Sequence, residues 1–270
     1  MNRRAVGIFI AVVCLIGVVS VQVRLRAEGT SEVRLKADTT TRSPAVRLNA
    51  DSTTKALAMS ALATVDVKPI GLAPDVLSLA VGAVSCAVTS GDIETPRTLT
   101  VIDYSLPSTT PRLWVFDVAS GRMLFKELVA HGRNTGDNMA TAFSDILNSR
   151  QTSLGLFVTG DTYVGSNGYS LRMQGLEPGF NGNAMDRAIV MHGAPYVDAT
   201  MAKRQGRLGR SWGCPALREA VARDVIDTVR GGGVIFSYYP DDNWLTHSRF
   251  INCANAADRA SRSNRSTNRS

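Results

Sequence analysis

The chain has 270 residues, 44% of them hydrophobic and 20% charged, and a formal net charge of +7. Once its polar ends are set aside, this length leaves room for one domain of ordinary size with a full core. The basic excess, which includes Lys203, Arg204, Arg207 and Arg210, suits approach to an acidic polymer. No nucleic-acid fold accompanies that excess, and no Cys-x-x-Cys pair or other pattern calls for a metal or cofactor.

Residues 1–22 open with Met1-Asn2-Arg3-Arg4 and continue as an almost wholly apolar run from Ala5 to Val19, the pattern of a secretory signal peptide or an uncleaved membrane anchor. Residues 23–56 carry three imperfect copies of one short unit, beginning at Val23, Val33 and Val46. Their Thr/Ser-rich spacers read as a flexible low-complexity linker. Residues 57–97 form a helical lead-in, with a helix over Asp75–Val88.

Residues 98–253 are expected to be mainly β with a few helices. Strands are predicted over Leu99–Tyr104, Gly155–Thr159, Tyr169–Met173, Ala188–His192 and Val234–Tyr239, with a hairpin pairing Arg112–Val118 and Met123–Val129. Fourfold spacing of Leu217, Val221, Val225 and Val229, stopped by Gly231-Gly232-Gly233, predicts a helix. The Arg- and Ser-rich residues 254–270 read as a disordered basic tail.

The most informative stretch is Gly206-Arg207-Leu208-Gly209-Arg210-Ser211-Trp212-Gly213-Cys214-Pro215-Ala216. Proline favours the first helical position, so Cys214 is expected as the N-cap of the following helix. There the helix dipole and free N–H groups would lower the thiol pKa. A cysteine nucleophile needs a base, and the chain has three histidines. His192 ends an apolar run before Gly193-Ala194-Pro195 and is the better candidate. His131 reads first as a hydrogen-bonded histidine at a strand end, and second as a residue on the substrate side. His247 reads as surface.

Met191-His192-Gly193 and Ser211-Trp212-Gly213-Cys214 resemble the signature of the L,D-transpeptidase (YkuD-type) catalytic domain, a His-Gly followed by Ser/Thr-His-Gly-Cys. The resemblance extends over approximately Leu99 to Asp241, through Val101-Ile102-Asp103-Tyr104-Ser105, Ala130-His131-Gly132, Gly136-Asp137-Asn138, Thr152-Ser153-Leu154-Gly155 and Leu176-Glu177-Pro178-Gly179. Two positions depart from the wider family. Trp212 replaces the second histidine, and Ala216 stands where an arginine or asparagine usually follows the cysteine.

The resemblance implies a curved β-sandwich or open barrel. It also implies an enzyme acting on peptidoglycan stem peptides, which the apolar N-terminus would export to the periplasm or cell envelope: Cys214 attacks a stem-peptide carbonyl, His192 moves the proton, and an amine resolves the thioester. Gly213 and Cys214 would offer N–H groups to the oxyanion, and Ser211 would act in the site or order its turn. On the substrate side stand Trp212, Gly193 and His131, with Arg207 and Arg210 supplying the cation that Ala216 lacks. Hydrolysis of the thioester would make the enzyme an L,D-carboxypeptidase, and another cysteine peptidase or amidase would use the same pair. A non-catalytic wall-binding module would instead use Trp212, Tyr163 and Tyr196. Beyond Cys14, the cysteines Cys86, Cys214 and Cys253 allow either a Cys86–Cys253 pair with Cys214 free or three unpaired thiols.

Overall fold

The computed structural model describes residues 59–267, with side chains through residue 259. The expected signal or anchor at 1–22, the linker at 23–56 and the last three residues of the expected tail lie outside the described residues.

The helix α1 (Pro74–Thr89) starts on Pro74, whose missing N–H costs a first turn nothing, and it buries Val76, Leu77, Ala80, Ala83 and Val84 along one side. Nine strands follow in a single mixed sheet. They are β1 (Thr98–Asp103), β2 (Leu113–Asp117), β3 (Met123–Glu127), β4 (Val129–Ala130), β5 (Gly155–Gly165), β6 (Gly168–Gly175), β7 (Val190–Gly193), β8 (Ala216–Leu217) and β9 (Val234–Tyr238). The remaining helices are α2 (Ala199–Gln205), α3 (Glu219–Val229), α4 (Asp242–His247) and α5 (Arg249–Thr267). The expected hairpin is β2–β3, antiparallel with Leu113 opposite Glu127.

The strand order is β3-β2-β1-β9-β5-β6-β7-β8-β4. Its two edge strands, β3 and β4, are consecutive in the chain, and only Leu128 separates them. Two peptide steps span at most about 7.6 Å, so the sheet curls until its edges meet at Leu128. The result is an open barrel. A bidentate bridge closes the seam: Arg218, just after β8, donates to both oxygens of Glu127, the last residue of β3, at 2.8 and 2.9 Å.

Alternation along the strands sorts the core to two sides. Leu99, Val101, Trp114, Phe116, Leu156 and Phe236 pack with α1, Trp244 of α4 and Phe250 of α5. Ile102, Val115, Phe157, Leu171 and Ile235 pack with Ala222, Val225, Ile226 and Val229 of α3. The helix α3 touches β1, β6 and β7, although β9 and β5 separate β1 from β6 in the sheet. Only a strongly curved sheet brings those strands to one helix.

Helices α1 and α5 approach so closely that a Cβ at Gly82 would lie 2.8 Å from that of Ala254. One turn away Cys86 and Cys253 form a disulfide across 167 residues, which leaves Cys214 as the free cysteine among the described residues. Of the two arrangements that the cysteine count left open, this is the paired one. The expected tail begins inside α5, which continues to Thr267.

Several of the quoted motif segments are loop staples. Glu177 is 3% exposed, accepts from the N–H of Leu156 at 2.8 Å and from Trp244 Nε1 at 3.1 Å, and its carboxyl is pushed up by burial. Gly155 lies against it: a Cβ there would fall 2.3 Å from Glu177 Oε1. Asn138 Oδ1 accepts from Ser108 Oγ and Thr109 N, and Asp103 Oδ1 from Ser105 N and Oγ.

Candidate active site

The cysteine segment is built as a loop between α2 and β8. Asp198 caps α2 by accepting from Met201 N at 2.6 Å, and Gly206 ends it in the left-handed region at φ 72°. Gly209 then runs against Tyr196, where a Cβ would sit 2.3 Å from the tyrosine's own. Ser211 docks on the end of β4: its N–H donates to His131 O at 2.9 Å, and its carbonyl accepts from Arg133 N at 2.8 Å.

The following helix does not begin at Pro215. Ala216 and Leu217 form β8, lying between Val129–Ala130 on one side and His192–Gly193 on the other, and α3 starts at Glu219 with Arg218 as N-cap. Cys214 is therefore not a helix cap. The fourfold apolar spacing included Leu217, but two open strand edges supplied that residue's backbone with partners, and pairing overrode the helical pattern. Proline fits the start of an extended segment as well as the start of a helix.

The Cys214 thiol is 7% exposed and donates to Ala188 O across 3.7 Å. Burial pushes its pKa up, against the opposing influences of the Val190 N–H, the Arg187 charge and its own backbone N–H. The expected lowering is thus reversed: no helix dipole reaches the thiol, and burial outweighs the groups that favour the thiolate. Ala188 was expected to begin a strand. It sits instead at φ 52°, one residue from the start of the segment that leads into β7, and this turn aims its carbonyl at the thiol.

His192 ends the apolar part of β7 and is 4% exposed. Its Nδ1 lies 2.8 Å from Gly193 O. A carbonyl only accepts, so Nδ1 carries the proton and Nε2 is left bare. Burial lowers the imidazole pKa and the Gly193 carbonyl partly restores it. The parallel pairing of β7 with β8 sets His192 opposite Ala216, two residues beyond Cys214.

Ser211 and Gly213 are committed to the turn. Ser211 Oγ donates to Cys214 O at 2.7 Å and accepts from Gly213 N at 3.1 Å. The Gly213 N–H expected to serve an oxyanion is therefore occupied. Gly213 itself is required: it lies at φ 126°, and a Cβ would fall 2.7 Å from Gln151 O. Thr152 joins the pieces, accepting from Gly132 N at 2.9 Å and donating to Gly213 O at 3.3 Å.

His131 is buried and bonded to protein groups, as its first reading had it. It is 1% exposed, Arg112 Nη2 donates to its Nδ1 at 2.7 Å, and its Nε2–H donates to Gly136 O at 3.2 Å. Burial first, then the Arg112 charge, lowers its pKa to about 4. His247 is exposed, as expected.

Arg210 pairs with Asp137 at 2.8 Å and also donates to Gly136 O at 3.0 Å; Arg207 lies 3.8 Å from the same carboxylate. Both expected substrate cations are thereby partnered. Trp212 is 69% exposed and carries the guanidinium of Arg150 at 4.8 Å from its ring centre. Tyr196 lies beside the loop, its phenol pushed up to about 12 by burial and by the thiol's negative form. Tyr163 sits instead in the β5–β6 hairpin beneath Arg172.

Three arginines escaped the sequence reading. Arg112 is fully buried, donating to Val129 O, Leu106 O and His131. The Arg187 side chain is 2% exposed and donates to Ser144 O and Gln151 O, each at 2.6 Å, to Ser149 Oγ at 3.1 Å and to Ser153 Oγ, with Asp145 at 3.8 Å. Arg150 is the third. A single arginine gives no periodic signal, and what singles these out is contact with distant segments.

Residues 69–238 match the family model described as the L,D-transpeptidase catalytic domain. The chain belongs to the L,D-transpeptidase catalytic-domain family. The match includes all of α1, so most of the helical lead-in shares one family unit with the barrel. Among solved structures, the chain is similar to an L,D-transpeptidase from Mycobacterium smegmatis at 17% identity, over 53% of this chain and 59% of that one, with a TM-score of 0.34. L,D-transpeptidase 3 from Mycobacterium tuberculosis is similar at 15% identity over 53% and 62%, TM-score 0.35, and one from Stackebrandtia nassauensis at 13% over 60% and 65%, TM-score 0.33. The chain thus spans about three fifths of the length of these structures. No curated protein matches.

Proposed function

We propose that this L,D-transpeptidase domain transfers a peptidoglycan stem-peptide acyl group through a Cys214 thioester to an amine. The observation that carries the reading is the free thiol on the loop entering β8, the strand that pairs with β7, whose histidine has its proton pinned on Nδ1. His192 Nε2 accepts the thiol proton as Sγ forms a bond to the carbonyl carbon and the carbonyl electrons move to oxygen. Collapse breaks the C–N bond, and the imidazolium returns its proton to the departing terminal D-amino acid. The acceptor amine then attacks the thioester, loses its proton to His192, and the thiolate leaves and is reprotonated.

Both pKa directions favour a resting pair of neutral thiol and neutral imidazole, so the proton moves during attack rather than before it. The developing negative charge has the Cys214 N–H and the buried Arg187 charge nearby. Ser211 and Gly213 act by holding the turn, and Gly193 by orienting the base. The Cys86–Cys253 disulfide supports an oxidising compartment outside the cytoplasm, in keeping with the apolar N-terminus as an export signal or anchor.

The test uses the full chain and its Cys214→Ala variant with a disaccharide-tetrapeptide, read by mass spectrometry. Cysteine-dependent cross-linked dimers are expected. Tripeptide with free D-amino acid and no dimer would make the domain a carboxypeptidase, and neither product from folded wild-type protein would refute acyl transfer on this substrate.

A further inference from the structure

We propose that Arg150, laid on the exposed face of Trp212, is the cation that binds the free carboxylate of the acyl-donor peptide. The proposal deepens the reading above and takes its substrate class from it.

The two departures from the family motif are complementary, one lacking a cation and the other carrying one. Position 216 cannot present a cation in this barrel: Ala216 is fully buried in β8, with Ala130 opposite it on one side and His192 on the other. A charged side chain there would enter the seam without a partner. Trp212, the other departure, is the residue that carries the Arg150 guanidinium 4.8 Å from its ring centre. The substitution that removed a histidine supplied a shelf for an arginine from a different segment.

Arg150 is presented rather than left loose. Its backbone is in the left-handed region at φ 55°, as is that of Asn148 at φ 60°. Asn134 clamps the turn from outside: its N–H donates to Arg150 O at 3.2 Å, its Nδ2 to Ser149 O at 2.9 Å, and its own carbonyl accepts from Gln151 Nε2 at 3.0 Å. Arg187 holds the same turn from beneath, donating to Ser149 Oγ and Gln151 O. The neighbouring Arg133 N–H donates to Ser211 O, which ties the clamp to the cysteine loop.

The guanidinium itself is exposed and, among the described residues, makes no ion pair or hydrogen bond. Arg207 and Arg210 share Asp137, and Arg187 is spent on carbonyls and Asp145. Stacking uses only the flat face of Arg150. Its N–H donors lie in the plane, so the edge is free to take a carboxylate through two parallel bonds. Trp212 is two residues from Cys214, a span of at most about 7 Å. The shelf for Arg150 therefore belongs to the same loop as the proposed nucleophile.

The test measures binding of the tetrapeptide and of its C-terminal amide to full-chain protein carrying Cys214→Ala, by calorimetry. The acid is expected to bind about tenfold more tightly than the amide, as for a charge-assisted bidentate pair. Adding Arg150→Ala abolishes that preference without weakening the amide. Arg150→Lys restores only part of it, because an ammonium offers no planar fork. Trp212→Ala reduces it severalfold with Arg150 still present. Because both residues are exposed, the melting temperature is expected to stay unchanged in each variant. Equal affinity for acid and amide in the parent, or a preference that survives Arg150→Ala, would overturn the proposal. An intact preference in the Cys214→Ala protein, together with wild-type protein that forms neither dimer nor tripeptide, would strike the reaction and leave the carboxylate site standing.

Discussion

Replacing Arg187 with methionine tests whether a buried cation organises the floor of the site. The side chains of Arg187 and Asp145 are 2% and 4% exposed, so the substitution leaves a carboxylate with little water around it. Breaking such a pair from one side costs about 3–5 kcal/mol. The 3.8 Å separation and the two contacts that Asn183 N–H makes to Asp145 argue for the lower end. Loss of the donor to Gln151 O adds about 1 kcal/mol for an unsatisfied buried carbonyl. The sum is about 4 kcal/mol, and at about 2–4 °C per kcal/mol for a domain of this size the melting temperature should fall by about 8–16 °C.

The assay is thermal denaturation followed by circular dichroism at pH 7 with the disulfide intact. Adding Asp145→Asn to the Arg187→Met protein should recover part of the loss, since the charge left unpaired is then removed. Alkylation of Cys214 in the single variant should also slow, because the Arg187 charge is one of the influences that hold the thiol pKa down. A melting temperature within 2 °C of wild type, or no recovery in the double variant, would refute the argument.

Two pH dependences follow from the site. Burial raises the Cys214 pKa and lowers that of His192, so iodoacetamide should label Cys214 slowly near neutral pH, with half-maximal rate above the ordinary thiol value of 9.0; kcat/KM should hold a broad plateau across neutral pH. A labelling midpoint below pH 8, the mark of a preformed thiolate, would contradict the neutral resting pair. His131 has a folded pKa of about 4 against an ordinary 6.5, so the unfolded chain binds its proton first as pH falls. The stability this residue confers is complete above pH 6.5 and declines by about 3 kcal/mol on acidification to pH 4, at about 1.4 kcal/mol per pH unit. Denaturant unfolding of wild type and His131→Gln should show the difference, and equal pH slopes for the two would exclude it.

Where an element has a strong local pattern, the sequence was sufficient. The β2–β3 hairpin, α1, β1 and β9 are legible because alternation or helical spacing of apolar residues records which side is buried. Cys214 and His192 were visible for a similar reason, since glycine and proline beside a lone cysteine or histidine mark places where the backbone turns sharply. The helix expected at Pro215 failed because Leu217 satisfies a helical pattern and a strand equally, and only the open edges of β4 and β7 decide between them.

What the chain determines by itself is therefore the kinds of element, the family motif and the two candidate reacting groups. Tertiary structure alone decided their chemistry. Closure of the barrel at Leu128 turned Ala216 and Leu217 into a strand, removed the helix dipole from Cys214 and buried its thiol. The same closure brought Arg150, Arg187 and Arg112 to positions that no local spacing encodes. Electrostatic and hydrogen-bonding partners are set by distance through space, and in a closed sheet that distance bears little relation to separation along the chain.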